Sequence, residues 1–204
     1  MAFISEANID THTQEVYARQ ERAFGYLPNY ARLFSHRPEI IDLWSALQSG
    51  LRANMEARLF ELTTLAAALA LESSYCSLAH ATKLRTEFND AELSTLAQGK
   101  FEEVVTSKEA IAMRYAALVA RDANQVNNEI IEQLRAHGYE DDEIFDIAGI
   151  AAGRAFFSKF VEGLGAAPDH AYASLPRSLR QHLVVGRPIE NMGNSSATNP
   201  LQSR

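Results

Sequence analysis

Apolar residues recur at intervals of three and four along nearly the whole chain, and no stretch alternates between hairpin turns, so the pattern predicts helices throughout. The first helix runs from about Thr13 to Phe24, burying Val16, Tyr17 and Phe24, and stops at Gly25 with Pro28 just beyond. A short helical piece covers Tyr30 to Phe34. Pro38 sits where a first turn tolerates a missing N–H, and Ile40, Ile41, Leu43, Trp44 and Leu47 follow with helical spacing until Gly50 ends or loosens the helix. From about Met55 to Leu71 the helix is strongly apolar, with Glu61, Thr63 and Thr64 embedded in it. Ser73 and Ser74 interrupt it, and Ser73 as N-cap starts a helix carrying Cys76, Leu84 and Phe88 before Asn89 caps another short one. Three more are expected at about Lys108–Arg121, Asn128–Ala136, closed by His137 and Gly138, and Asp141–Leu164. Inside the last, Gly149 and Gly153 each cost roughly 1 kcal/mol against Ala, which marks them as places where another helix comes close.

After Pro176 the composition turns polar. The reading is therefore one all-α domain over residues 1–176, followed by a tail, 177–204, expected to be mobile or ordered only against a neighbouring subunit. With 47% apolar and 22% charged residues the chain has the balance of an ordinary globular protein. A single cysteine closes no internal disulfide, and no charged start leads into an apolar run with a cleavage site, so the expected location is the cytoplasm. LTTLAAALAL and IFDIAGIAAGRAFF are too short, or too interrupted by Asp146, Arg154 and Lys159, for a bilayer, so no membrane is expected. Nineteen Lys plus Arg against 26 Asp plus Glu give a net charge of -7, which argues against nucleic acid as a partner.

Chemistry concentrates in SSYCSLAH, residues 73 to 80. With Ser73 as N-cap, Cys76 is the third helical residue, close to unpaired N–H groups and the positive end of the helix dipole, a setting that favours a thiolate. His80, four residues on, shares its face and is placed to hydrogen-bond the sulfur or, when protonated, to stabilise it by charge. Glu61 lies on the preceding apolar helix between Phe60 and Leu62, where a carboxylate is costly without a partner such as Arg58 or Lys83. Cys-x-x-x-His is weak as a motif, and a free cysteine is also a common small core residue. Arg58, Arg85 and Arg154 are the candidates for binding a substrate carboxylate, and each is read as a surface ion pair. The remaining five histidines are read as structural or solvated.

Glu61 followed by Ser73, Cys76 and His80 at 12, 15 and 19 residues further on resembles the motif of the alkylhydroperoxidase D and carboxymuconolactone decarboxylase superfamily, in particular its peroxidase-related branch. GYLPN and HRPEIIDLWSAL look like the family's lead-in and GYEDDEIFDIAGIAAGRAFFSKFVEGLGAAPD like its closing helix, so the likeness spans about residues 26–169. The resemblance implies an all-helical fold that assembles as a homo-oligomer, a dimer, trimer or hexamer. It implies Cys76 as the atom that attacks peroxide, His80 and Glu61 as proton carriers, and Tyr75 as part of the pocket wall. Ser73 stands where the family has the first cysteine of a Cys-x-x-Cys pair, so a sulfenic acid at Cys76 has no resolving thiol in its own chain. Ser73 is left to cap the helix and hydrogen-bond the sulfur.

The expected function is a thiol-dependent peroxidase with one cysteine and an external thiol or redox protein as reductant, acting on a small-molecule peroxide without cofactor or metal. Alternatives are a lyase that uses Glu61 and His80 for proton transfer on a carboxylated substrate, and a redox-inactive helical module. Metal binding by Glu61, Cys76 and His80 is the weakest idea, since no second Cys or His stands at zinc spacing.

Overall fold

The computed structural model describes residues 2–191. Ten α-helices follow one another among them: α1 Thr11–Phe24, α2 Asn29–Leu33, α3 Pro38–Arg52, α4 Ala57–Ala70, α5 Ser74–Leu84, α6 Asp90–Ala97, α7 Ser107–Asp122, α8 Asn128–Ala136, α9 Asp141–Gly163 and α10 Arg177–Leu183. No strand occurs among the described residues, so the all-α expectation holds. Most boundaries carry their own local cause. Asp10 caps α1 by accepting from the Thr13 N–H at 2.7 Å, and Gly25 ends it with φ 78, in the left-handed region that glycine enters without a Cβ clash. Asn89 with Glu92 and Thr106 with Glu109 form reciprocal capping boxes at the starts of α6 and α7.

The bundle is organised around α4. All nine residues from Phe60 to Ala68 are buried, so this helix shows no polar face and is wrapped by α5, α7 and α9. Its alanines Ala66, Ala67 and Ala68 leave room for those neighbours. α9 presents a buried stripe, Ile144, Ile147, Ile150, Arg154, Phe157 and Val161, spaced by three and four. A single charged residue interrupts it. Gly149 and Gly153 of α9 face α3: a Cβ on Gly149 would lie 2.6 Å from Leu51 Cδ2, and one on Gly153 would lie 3.4 Å from the Trp44 ring. No described helix is long and apolar enough to cross a membrane.

Three expectations need correction. Phe24 is exposed rather than buried, because it stands at the mouth of a cavity. α3 continues through Gly50 to Arg52. The polar composition after Pro176 hides α10, whose Leu179 and Leu183 are fully buried in the same core as Leu78 and Leu93. Two apolar residues four apart are enough to dock a short helix. The part of the tail expectation that concerns residues 192–204 lies outside the described residues.

The elbow between α4 and α5 sets the site. Glu72 takes φ 54, a left-handed conformation costly for a residue with a side chain, and Ser73 N–H returns to the Ala68 carbonyl at 3.0 Å. Gly186 closes over this elbow, donating its N–H to Ser74 Oγ at 2.8 Å. A Cβ there would fall onto the Glu72 carbonyl oxygen, a backbone atom that cannot step aside. Gly186→Ala should therefore destabilise by ~1–3 kcal/mol, the range for overpacking, seen as a lower midpoint in urea unfolding; an unchanged midpoint contradicts this packing.

Candidate active site

The three-residue link between α4 and α5 makes them a hairpin, and Glu61 and His80 lie at similar distances from it along helices that rise about 1.5 Å per residue. They therefore meet. His80 Nδ1 is 2.5 Å from Glu61 Oε2, and Lys83 Nζ is 3.2 Å from Oε1. Both Glu61 and His80 are buried. Burial alone raises the Glu61 carboxyl, but the His80 hydrogen bond and the charges nearby, Lys83 among them, outweigh it and hold Glu61 ionised. His80 is pushed down, first by burial and then by the positive charge of Arg154, against the pull of Glu61. A neutral imidazole beside a carboxylate keeps its proton on Nδ1, where it donates to Glu61. Nε2 is then left with a lone pair, able to take a proton.

Cys76 lies one turn before His80, at the third residue of α5 as expected. Its sulfur is held from α9. Ser158 Oγ donates to Sγ at 3.3 Å and Arg154 Nη1 at 3.6 Å, from residues four apart on one face. Among the described residues both donors to the sulfur come from α9, while the His80 ring is bonded to Glu61.

These groups share a cavity of about 670 Å³, a size suited to small-molecule ligands. Cys76, His80 and Arg154 line it together with Tyr30, Trp44, Phe60, Tyr75, Phe157 and Tyr172, and it reaches the surface beside Lys83 and Arg85. Glu61 is not in the wall; it backs the imidazole. Tyr75 is part of the wall, and its hydroxyl donates to Asp169 Oδ2 at 2.5 Å. Asp169 also accepts from the Asn29 N–H at 2.7 Å and from the Tyr26 hydroxyl at 3.3 Å. Burial pushes the Asp169 carboxyl up and these donors only partly restore it.

Two expectations about polar residues fail. Ser73 occupies the N-cap position of α5, but its hydroxyl neither caps the helix nor bonds the sulfur; it turns to Glu162 Oε1 at 3.3 Å. Arg154 is no surface ion pair. It is 6% exposed and has no carboxylate partner among the described residues; besides the Cys76 sulfur it meets Gln48 Oε1 at 3.5 Å from Nη2 and the Trp44 and Phe157 rings 5.7 and 5.4 Å from its guanidinium carbon. Its place in the apolar stripe of α9 was the sequence signal that could have found it. Arg58 and Arg85 do form ion pairs, Arg58 with Glu87 and Glu109 and Arg85 with Asp90. No cluster of three or more His, Cys, Asp or Glu suited to a metal occurs among the described residues.

The buried pair makes stability depend on pH. Between the ordinary His value of 6.5 and the lowered value of about 4, the unfolded chain binds a proton that the folded chain does not, so stability falls as pH drops through that window. Glu61, lowered from 4.5 to about 2, adds to the same trend at lower pH. Chemical denaturation from pH 6.5 to 4 should show falling stability, with a shallower slope in a His80→Gln variant; equal slopes contradict this picture.

No family profile and no curated protein matches the chain. Solved structures do. The alkylhydroperoxidase core of an uncharacterized peroxidase-related protein from Ralstonia eutropha JMP134 superposes with a TM-score of 0.74 at 20% identity, covering 84% of this chain and 94% of that one. An uncharacterized peroxidase-related protein from Silicibacter sp. TM1040 gives 0.65 at 17% identity over 82% and 90%. The debrominase Bmp8 gives 0.68 at 16% identity over 85% and 92%, and a variant of it in complex with 2,3,4-tribromopyrrole superposes equally well, at 0.68. This chain therefore has the alkylhydroperoxidase D-like fold that its Glu61, Cys76 and His80 spacing and its flanking segments resemble.

Proposed function

We infer that the protein is a thiol-dependent peroxidase in which Cys76 is the nucleophile and an external thiol the reductant. The observation that carries this is the sulfur itself: in a cavity wall, beside a guanidinium without a carboxylate, and hydrogen-bonded by Ser158. Both donors hold the sulfur in place from one face of α9. His80, with Nδ1 held by Glu61, takes the thiol proton at Nε2. The thiolate attacks the terminal oxygen of a hydroperoxide ROOH. The S–O bond forms as the O–O bond breaks, and the departing alkoxide takes the proton back from His80. Cys76 becomes a sulfenic acid and the products leave as ROH.

Ser73 stands where a second cysteine would resolve that sulfenic acid, so two external thiols complete the cycle. The first condenses with the sulfenic acid, releasing water and leaving a mixed disulfide; the second displaces Cys76 and carries off an oxidised dithiol. The reading also accommodates the debrominase likeness, because the same thiolate can take a bromine from an electron-rich ring, with His80 supplying the proton to carbon. The S–Br group is then discharged by thiol as bromide and a mixed disulfide.

A sulfenic-acid trap should label Cys76 in the unaltered protein after peroxide, and a Cys76→Ser variant should neither be labelled nor consume peroxide with a dithiol present. His80→Ala should slow peroxide consumption at least about a hundredfold, in line with what a general acid–base group supplies. Bromide release from a brominated pyrrole without peroxide consumption would move the assignment to dehalogenation. Turnover of a carboxylated lactone that survives Cys76→Ser would move it to the lyase, and inertness in all three assays would leave the helical module without redox chemistry.

A further inference from the structure

Among the described residues two approaches lead toward the Cys76 sulfur, and the fold closes one of them. The first runs along the start of α5, past Ser73. Ser73, Ser74 and Ser77 are all fully buried there. The chain at and after the end of α10 lies across them: Ser77 Oγ donates to the Leu183 carbonyl at 2.5 Å, and the Gly186 N–H donates to Ser74 Oγ at 2.8 Å. Arg187 anchors this strap, donating from Nη2 to the Glu162 carbonyl at 3.2 Å and setting its guanidinium 4.8 Å from the Phe3 ring. Further on, the Glu190 N–H reaches the Pro168 carbonyl at 2.9 Å, and the Glu190 carboxylate accepts from Asn29 Nδ2 at 2.9 Å. A segment tied at both ends opens only by breaking several contacts together.

The second approach is the cavity of about 670 Å³ in whose wall Cys76 stands, a space of small-molecule size. Cys76 is 2% exposed, so its sulfur meets the outside from a recess and not from a convex surface. Tyr30, Tyr75, Phe157 and Tyr172 stand in the same wall, while Ser158 and Arg154 hold Sγ from α9. Thiol–disulfide exchange requires the attacking sulfur to come within bonding distance of the sulfur under attack, so access sets the rate alongside thiol acidity. A redox protein carries its attacking cysteine on its own folded surface. Two such surfaces pressed together leave a recessed sulfur out of reach, whereas a small thiol has no body behind it to hold it back.

We propose that thiol exchange at Cys76 is confined to small-molecule thiols that enter through the cavity, and that no redox protein recycles this cysteine. This rests on reading Cys76 as the nucleophile, and it narrows the external reductant of that reading to thiols of low molecular weight. Ser73 is central to the distinction. A cysteine there would close a disulfide with Cys76 and offer a second sulfur to attack; the serine instead bonds Glu162 beneath the strap, so Cys76 is the one sulfur a reductant has to reach. Both reducing steps then take place in the cavity. The first thiol condenses with the sulfenic acid and releases water. The second attacks the resulting mixed disulfide and leaves joined to the first, its proton passing to Cys76.

Exchange at Cys76 can be measured without peroxide. Methyl methanethiosulfonate should convert Cys76 of the full chain to its methyl disulfide, read by intact mass, and 2-mercaptoethanol should reverse it. Reduced thioredoxin serves as the protein probe. The reference is a Cys76→Ser/Lys100→Cys chain carrying the same methyl disulfide at an exposed position. Thioredoxin should restore the Cys76 thiol at least about a hundredfold more slowly than the reference thiol, while 2-mercaptoethanol should treat the two chains within about tenfold of each other. Comparable thioredoxin rates on the two chains would overturn the proposal, as would a deficit that 2-mercaptoethanol shares in full, or no exchange at Cys76 with either small reagent. The site itself is unaltered in this comparison, so the result does not hang on a site variant folding. Size-selective exchange in a protein inert to peroxide would sink the peroxidase reading alone; peroxide turnover sustained by thioredoxin as fast as by 2-mercaptoethanol would sink this one alone.

Discussion

A guanidinium buried without a carboxylate among the described residues, against the sulfur of the chain's one cysteine, is the constraint from which the rest of the site follows. Its charge lowers the proton affinity of His80 from across the cavity, reinforcing what burial already does. It also explains why Glu61 is held behind the imidazole, in a pair with His80 and Lys83, rather than in the cavity wall. A carboxylate within reach of Arg154 would neutralise it and remove its hold on the sulfur. Two rings, one amide oxygen and one sulfur are softer partners that keep the charge available.

The helices deliver this arrangement through two simple devices. The hairpin of α4 and α5 brings a carboxylate and an imidazole 19 positions apart into contact, and the stripe of α9 brings Arg154 and Ser158 onto Cys76 from the other side. Buried α4 is the rigid axis between them. Around the far wall, Asp169 ties together Tyr75, Tyr26 and the start of α2, so the Tyr75 ring is held by a hydrogen bond as well as by packing. α10 and Gly186 lock the elbow from which α5 departs, which makes the chain beyond Pro176 part of the site's support.

Periodicity alone reached the helix pattern, because a bundle stores its fold in local repeats of three and four. Gly25, Asn89 and Gly138 end or begin helices where their backbone and side-chain chemistry said they would. Cys76, His80 and Glu61 were readable because their spacing within and across a hairpin is itself a geometric statement. What escaped depended on tertiary contact. Ser158 had no local signal, being one serine on a long helix. Arg154 carries a local signal, since a charge inside an apolar stripe marks burial rather than a surface pair. Ser73 has the residue type of a cap, but Glu162, 89 residues away, draws its hydroxyl elsewhere. α10 was lost because average composition over a polar tail conceals two leucines on one face.

The oxidation of Cys76 by peroxide can be followed directly, since this chain has one cysteine. Rates of sulfenic-acid trapping at Cys76 should be compared in the unaltered protein and in Arg154→Gln under the same peroxide. Trapping that is fast in the first and strongly slowed in the second is the predicted result. Equal rates, or no trapping in either protein, would contradict the claim that the buried guanidinium makes this sulfur a nucleophile.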